Sequence, residues 1–285
     1  MQKKILAITV ILLTLVISMT LCIDDNQPKK EPKEGPWVDL KNLNAFLEQN
    51  FEVEEKEESG SSIVKAIEDP TGWLYIVVGT DIPFTEAEGE AIHHFVETGG
   101  NLIVFSDNQN VDNLSKYFGV HYSQFKILDK GFDYNLSFIP INVEINGNLF
   151  HIIVHSPRGL EITAPKYKVL AKSSEYPGSI NSVLDKNNNN KIDSKDEPGP
   201  IPIIVEVTVN DGKAIFITDA GLVTDNLWRL TSVSDKPEYT AYQYQNEEFI
   251  TNLIDSLHSS GGKLIYDKSK QTDNFSNFHP YPTPE

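Results

Sequence analysis

Two aspartates stand directly after runs of apolar residues that are typical of buried strands. Asp107 follows Leu102–Phe105, and Asp219 follows Ala214–Thr218. Because open α/β sheets bind ligands at the carboxyl ends of their strands, both side chains are expected at one edge of a sheet, where they could hold a polar ligand or an ion. The alternative is that each aspartate only caps the turn that follows it. The predicted ligand edge consists of Ser106, Asp107, Asn108, Asp219 and Asn226.

Three of these residues, Ser106, Asp107 and Asp219, could instead serve a hydrolase-like enzyme. A serine nucleophile needs a general base, and the sequence places no histidine beside these residues. The sequence also contains no metalloprotease, serine-hydrolase or nucleotide-binding motif. It therefore favours a binding module and assigns no catalytic residue. A histidine or a second carboxylate within hydrogen-bond reach of Ser106 would instead favour the enzyme.

A polar segment near residue 190 carries oxygen-bearing side chains at regular intervals. The segment Asp185–Asp196 resembles the twelve-residue calcium loop of EF-hand and dockerin type, with the apolar Ile192 at its eighth position. Asn190 stands where such loops usually have glycine, and asparagine is the next residue best able to adopt a positive φ. We expect a structural Ca²⁺ ion here, and the alternative is an Asn-rich solvated turn. The implied ligands are the side chains of Asp185, Asn187, Asn189, Asp193 and Asp196 and the backbone oxygen of Lys191.

Apolar runs and capping residues predict the elements that would position these sites. Trp73–Val78 and Leu102–Phe105 are continuous apolar runs, which predict strands buried on both faces. Thr85–Glu88 is a capping box, so a helix should begin there, and it should end at Gly99-Gly100. This alternation of strand and helix predicts a parallel, helix-covered sheet.

The chain between residues 122 and 200 departs from that alternation. Short alternating runs flank Asn146-Gly147, which predicts a β-hairpin. We interpret this region as a β-rich insertion. Asn210-Asp211-Gly212 predicts a second hairpin, between Ile203–Val209 and Ala214–Thr218.

Two segments resemble a known family. Residues 83–107, PFTEAEGEAIHHFVETGGNLIVFSD, resemble the strand-and-helix signature of class I glutamine-amidotransferase-like domains, and residues 212–226, GKAIFITDAGLVTDN, resemble a later segment of the same families. The most similar members are catalytically silent domains of membrane-anchored archaeal proteins of unknown function and of auxiliary proteins of gliding-motility ABC transporters. The resemblance implies a flavodoxin-like fold and a cell-surface or ABC-transporter-associated protein partner. The cysteine nucleophile and the His–Glu pair of active amidotransferases are missing, so the resemblance does not imply their reaction.

The first residues predict a membrane segment. Ile5–Ile23 contains no charged residue, and at ~1.5 Å per residue it would form a helix of about 28 Å, just enough to cross a hydrocarbon core. Lysines before it and aspartates after it place the rest of the chain outside the cytoplasm. Residues 1–23 are therefore interpreted as a transmembrane anchor or signal segment. The alternatives are a lipoprotein attached through Cys22, a secreted protein, and a buried helix of a soluble domain.

Length, composition and charge limit the remaining possibilities. The 285 residues are 39 % apolar, which is enough for a globular domain, expected over residues 37–270 after a charged Pro-rich linker at 24–36 and before a flexible tail at 271–285. A net charge of −17 opposes binding to a nucleic acid. One cysteine leaves no disulfide within the chain. We expect a non-catalytic, membrane-anchored binding or assembly module outside the cytoplasm, with a structural calcium loop.

Overall fold

A computed structural model describes residues 40–56, 61–130, 136–173, 182–228, 244–259 and 262–271. The predicted anchor and linker, and all of the predicted tail but Gln271, lie outside the described residues. Six α-helices are described: α1 (Lys41–Asn50), α2 (Ser61–Val64), α3 (Glu86–Glu97), α4 (Asp112–Ser115), α5 (Asp225–Trp228) and α6 (Asn246–Leu257).

A seven-stranded sheet lies at the centre of the described chain. Its spatial order is β1 (Val53–Lys56), β13 (Leu264–Asp267), β2 (Leu74–Val78), β3 (Asn101–Phe105), β12 (Gly212–Ile217), β11 (Pro202–Val209) and β8 (Tyr167–Lys172). The strands from β1 to β12 in this order are parallel. The last two, β11 and β8, are antiparallel to their neighbours.

Both faces of this sheet are buried, as the continuous apolar runs predict. Leu74, Ile76 and Val78 of β2 pack into one hydrophobic cluster with α1 and α6. Tyr75 and Val77 point to the other face and pack with α2, α3 and α4. The two faces alternate because successive side chains of a strand point in opposite directions.

Helix α3 begins as its sequence predicts. The Thr85 hydroxyl accepts the Glu88 N–H at 3.3 Å, and the Glu88 carboxylate accepts the Thr85 N–H at 2.7 Å. The capping box is therefore confirmed. The same carboxylate forms a buried ion pair with Lys270, whose Nζ lies 2.8 Å from both oxygens, so the end of the described chain is joined to the start of α3.

The remaining strands form two smaller antiparallel groups. β4 (Val120–Leu128), β7 (Arg158–Ile162), β9 (Val183–Leu184) and β10 (Glu197–Pro198) make a sheet in the order β10-β9-β4-β7. β5 (Phe138–Ile145) and β6 (Asn148–His155) form a hairpin. At its turn Asn146 and Gly147 have φ values of 51° and 81°, so the hairpin prediction is confirmed.

The predicted flavodoxin-like parallel sheet is wrong. The hairpin between β11 and β12 reverses the chain direction inside the central sheet, and β8, from the region interpreted as an insertion, extends that sheet in the antiparallel sense. The fold is a mixed α/β arrangement rich in antiparallel strands. Local apolar runs predict that strands exist and are buried, but they do not determine the direction in which distant strands pair.

The described helices also bear on the predicted membrane anchor. None of the helices in the described ranges is both long enough and apolar enough to cross a membrane. This finding contradicts the predicted transmembrane fold element and the location outside the cytoplasm that depended on it, and neither is carried further. The membrane as a partner through residues 5–23 stays a prediction. Residues 5–23 themselves, and Cys22 with them, lie outside the described residues.

Candidate functional site

The carboxyl ends of the central strands bring polar residues together, as predicted. We define the carboxyl edge as the residues that follow β2, β3 and β12: Thr80, Ser106, Asp107, Thr218 and Asp219. Thr80, Ser106, Thr218 and Asp219 are buried, and Asp107 is half-buried. The two predicted aspartates are close enough for the charge of Asp107 to raise the pKa of Asp219.

Ser106 is held in a local hydrogen-bond network. Its hydroxyl lies 2.6 Å from the Thr80 hydroxyl, accepts the Asn108 N–H at 3.1 Å and lies 3.3 Å from the Asn108 carbonyl oxygen. Among the described residues, no histidine and no carboxylate hydrogen-bonds to this hydroxyl. The contact that a serine nucleophile needs is therefore not made by the residues described at this edge.

Asp219 is fully buried and binds backbone amides. Its Oδ2 accepts the His155 N–H at 2.8 Å, and its Oδ1 accepts the Gly221 N–H at 2.7 Å. Burial raises the pKa of Asp219 to about 8, the charge of Asp107 adds to this, and the backbone hydrogen bonds oppose it. The side chain thus caps the turn Gly221–Val223 and ties it to β6, which is the capping role given above as the alternative.

The edge of β6 that does not pair with β5 is covered by residues that make the hydrogen bonds of a neighbouring strand. Gln245 donates its backbone N–H to the His151 carbonyl, and its side-chain oxygen accepts the His151 N–H. Two residues further along β6, Asn246 bonds both the N–H and the carbonyl of Ile153. Asp219 then accepts the N–H of His155. Alternate residues of the strand are therefore satisfied by three side chains and by the backbone N–H of Gln245, and this edge of the hairpin is closed to a further strand.

The other predicted edge residues have separate positions. Burial raises the pKa of the Asp107 carboxyl, while Arg158 and Lys126 lower it. Asn108 caps the turn after β3, with its Oδ1 accepting the Asn110 N–H at 3.1 Å. Asn226 lies in the short helix α5, and its side chain is outside what the structure describes.

Arg158 belongs to the edge and was missed by sequence reasoning. Its Nε donates to the Asp107 carbonyl, and its Nη1 donates to the carbonyls of Gln124 at 2.6 Å and Ser123 at 3.3 Å. Its guanidinium is half-buried, and burial lowers its pKa. One signal could have drawn attention to it, because the sequence contains only two arginines, Arg158 and Arg229.

His155 lies beside this cluster as a neutral ring. Burial lowers its pKa to about 4, and the charge of Lys126 acts in the same direction. Its ring centroid lies 4.7 Å from that of Phe138. The imidazole is therefore uncharged at neutral pH and packs against an aromatic side chain.

The predicted calcium loop is ordered around a buried carboxylate. Asp185 is 1 % exposed, and its two oxygens accept the N–H groups of Asn189 at 3.2 Å and Asn190 at 2.8 Å. Asn188 and Asn190 have φ values of 52° and 55°. The expectation that Asn190 adopts a positive φ is confirmed, and the Asp185 carboxylate lies inside the turn of the loop.

The rest of the predicted ligand set is partly assembled. Asp193 accepts hydrogen bonds from the side-chain amides of Asn187 at 3.1 Å and Asn189 at 2.8 Å, and Asp196 Oδ2 accepts the Asp193 N–H at 2.8 Å. The backbone N–H of Lys195 and the Asn189 amide lower the pKa of Asp193. In the described ranges no three His, Cys, Asp or Glu side chains are grouped closely enough to hold a metal as they stand.

Two observations test whether this loop suits a calcium ion. The donor set consists of carboxylate, amide and carbonyl oxygens, which are the hard ligands that Ca²⁺ takes in proteins. Asp196 Oδ1 is buried and has no hydrogen-bond partner in the described part of the chain, and a buried oxygen without a partner carries the full cost of lost hydration. The residues fit the ion, which would neutralise the carboxylates of the loop and would supply no reaction.

The loop is attached directly to β4. Its first residue, Asp185, donates its N–H to the Lys126 carbonyl at 2.9 Å. Lys186 pairs with Glu197 at 3.0 Å, and its Nζ lies 4.8 Å from the centre of the Phe125 ring. The loop and β4 are therefore in direct contact.

Comparison with known proteins supports the fold and leaves the activity open. Neither models of protein families nor curated protein sequences match the chain. Among solved structures, the N-terminal domain of IFT52 is similar with a TM-score of 0.52 and 12 % identity, over 76 % of this chain and 89 % of that domain. A cytoplasmic protein of Salmonella typhimurium LT2 has a TM-score of 0.43 and 12 % identity over 78 % of this chain and 88 % of its own.

A β-galactosidase from Bacillus circulans sp. alkalophilus also matches, with a TM-score of 0.33 and 12 % identity over 53 % of this chain and 21 % of its own. The likeness to the IFT52 domain shows a shared mixed α/β fold and no more. No family model supports the amidotransferase-like fold that the sequence resemblance implied. That prediction is replaced by the mixed sheet described above.

Proposed function

We propose that this protein is a non-catalytic binding module whose loop Asp185–Asp196 holds a structural calcium ion. The single observation that carries the calcium part is the loop geometry, in which buried Asp185 lies inside the turn and the buried Asp196 Oδ1 has no hydrogen-bond partner among the described residues. A protein as the bound partner stays a prediction.

The binding part of the proposal is supported by the carboxyl edge. The Ser106 hydroxyl is engaged by Thr80 and Asn108, and the Asp219 carboxyl is engaged by backbone amides. Groups that a hydrolase would need for attack and proton transfer are therefore occupied by contacts that hold the fold together. Such an edge suits recognition of a ligand better than chemistry on it.

The calcium part is supported by charge. Asp185, Asp193 and Asp196 bring three carboxylates into one loop, and their repulsion opposes closure of the loop unless a cation is bound. The Asn187 and Asn189 amides could turn their oxygens towards the ion, because the positions of amide oxygen and nitrogen are exchanged by a half-turn of the side chain. Closure would order the connection between β9 and β10.

Thermal unfolding with and without calcium tests the proposal. Calcium at about a hundred times its dissociation constant should stabilise the fold by roughly 2.7 kcal/mol, which corresponds to a rise of about 5–10 °C in Tm. Titration calorimetry at up to 1 mM calcium should show one saturable site. Coinciding melting curves in calcium and in chelator, with no heat on titration, would show that the loop is only a polar turn.

Matched variants separate binding in the loop from a general effect of charge. Asp185→Asn should abolish the calcium-dependent shift, since it removes the buried carboxylate. Asp211→Asn removes a carboxylate from an exposed hairpin turn, and Ser194→Ala changes an exposed residue within the loop. Both should leave the shift intact. Asn188→Ala is unsuitable as a control, because the φ of 52° at this residue would be strained with alanine.

A further inference from the structure

We propose that Arg158 and Lys126 form a binding site for the oxyanion of a carboxylate or phosphate group at the carboxyl edge. The inference rests on the proposed binding function and names the chemical class of the ligand. It does not depend on calcium.

The guanidinium of Arg158 has donors to spare and makes no salt bridge with a described carboxylate. Of its five N–H donors, those on Nε and Nη1 point to the backbone carbonyls of Asp107, Ser123 and Gln124. The two N–H groups of Nη2 make no hydrogen bond to a described residue, and the guanidinium forms no salt bridge there. A half-buried cation in this state is costly unless an anion completes its surroundings.

Lys126 lies directly opposite Arg158. The two residues are register partners in the antiparallel pair β4–β7. Like charges directly opposite each other on neighbouring strands are destabilising. Lys126 is exposed and makes no ion pair with a described residue, so within the described ranges neither cation of this pair is held in a salt bridge.

The position of the pair matches the predicted ligand edge. The backbone nitrogen of Arg158 lies 3.4 Å from the Thr218 carbonyl oxygen. The charge of Lys126 lowers the pKa of both Asp107 and His155. The buried Thr218 hydroxyl, which has no hydrogen-bond partner among the residues the structure describes, is a neutral donor in the same part of the edge.

The acidic groups that face Arg158 are Asp107 and Asp112, whose charges raise its pKa against the effect of burial. Neither carboxylate forms a salt bridge with the guanidinium in the described ranges, so its Nη2 donors stay available for an anion. The planar fork of arginine matches the paired oxygens of a carboxylate or phosphate, and lysine adds a point charge. Because the whole chain carries a charge of −17, any saturable binding of a small anion must be local.

Calorimetric titration with inorganic phosphate and with acetate tests the site, in calcium-free buffer at constant ionic strength. Wild-type protein should bind at least one of the two anions saturably. Tighter binding of phosphate would indicate a phosphate ester as the natural ligand, and tighter binding of acetate would indicate a carboxylate. Absence of saturable binding of both anions would overturn the proposal.

Three variants locate the binding. Lys126→Gln should weaken it about tenfold, and Arg158→Lys should weaken it while keeping the charge, because the fork is lost. Lys65→Gln removes an exposed lysine next to helix α2 and should have no effect. Unchanged affinity in Lys126→Gln would overturn the proposal even if Arg158→Lys failed to fold. The calcium titration is independent, so a positive calcium result with no anion binding would refute this inference alone.

Discussion

Asn246 should be one of the most sensitive positions for stability in the chain. Its Oδ1 accepts the Ile153 N–H at 2.9 Å, and its Nδ2 donates to the carbonyls of Ile153 at 3.1 Å and Leu227 at 2.9 Å. The side chain is 1 % exposed, so water does not replace these bonds. It joins β6, α5 and the first residue of α6 in one buried contact.

Asn246→Ala leaves one N–H and two carbonyls without partners. Each unsatisfied buried group costs about 1–3 kcal/mol, so the expected loss for the three groups is roughly 3–9 kcal/mol. That is a large share of the 5–15 kcal/mol typical of a folded domain. Urea unfolding followed by circular dichroism should show a lower midpoint with an unchanged m-value.

Asn246→Asp tests the same hydrogen bonds through the pH dependence of stability. Aspartate keeps the acceptor for the Ile153 N–H but places a carboxylate oxygen against two carbonyls, so its pKa in the folded state should lie above the unfolded value of about 3.9. Its stability is therefore highest below about pH 4 and is lost as the pH rises through the folded pKa. A protonated carboxyl can donate to only one of the carbonyls, so recovery in acid should be partial.

The control for both variants is Asn252→Ala. Asn252 is exposed on the same helix and donates only to the Glu248 carbonyl, so the expected change is within about 0.5 kcal/mol. The argument would be refuted if Asn246→Ala unfolded within 1 kcal/mol of wild type, or if the stability of Asn246→Asp did not depend on pH.

Three other variants test the ion pair, the buried carboxyl and the edge serine. Lys270→Met should cost about 3–5 kcal/mol in urea unfolding because it removes the cation that is paired with the buried Glu88 carboxylate. Adding Glu88→Gln should restore part of this loss, and simple additivity of the two changes would contradict the ion pair. Because the pKa of Asp219 is raised to about 8, its contribution to stability is complete below about pH 4 and is lost as the pH rises through 8. The free energy of unfolding of wild type should therefore fall relative to that of Asp219→Asn over this range. Parallel pH profiles of the two stabilities would contradict the raised pKa. Ser106→Ala should leave any slow hydrolysis of an activated ester unchanged while costing about 1 kcal/mol of stability, and a loss of turnover with a normal fold would favour the hydrolase.

The sequence alone determined features that depend on neighbouring residues. The capping box at Thr85 and Glu88 needs contacts only three residues apart, and it forms as predicted. The turn at Asn146-Gly147 and the positive φ of Asn190 follow from the local preferences of asparagine and glycine. Buried strands such as Leu74–Val78 can also be predicted from the sequence, because a strand covered on both faces must be apolar throughout.

Only the tertiary structure decided how distant segments pair. β13 enters the sheet between β1 and β2, and β8 joins its far edge in the antiparallel sense. The periodicity of a strand records which faces are buried, and it contains nothing about which strand lies beside it or in which direction. This is why a strand–helix alternation that was correctly recognised still led to the wrong sheet.

The candidate site divides in the same way. The sequence placed Ser106, Asp107 and Asp219 at one edge because each follows a buried strand, and the structure places them there. It did not determine that the Asp219 carboxyl would be used by the backbone of His155 and Gly221. Nor did it place Arg158 opposite Lys126, since 32 residues separate them and their proximity depends on how β4 and β7 pair in space.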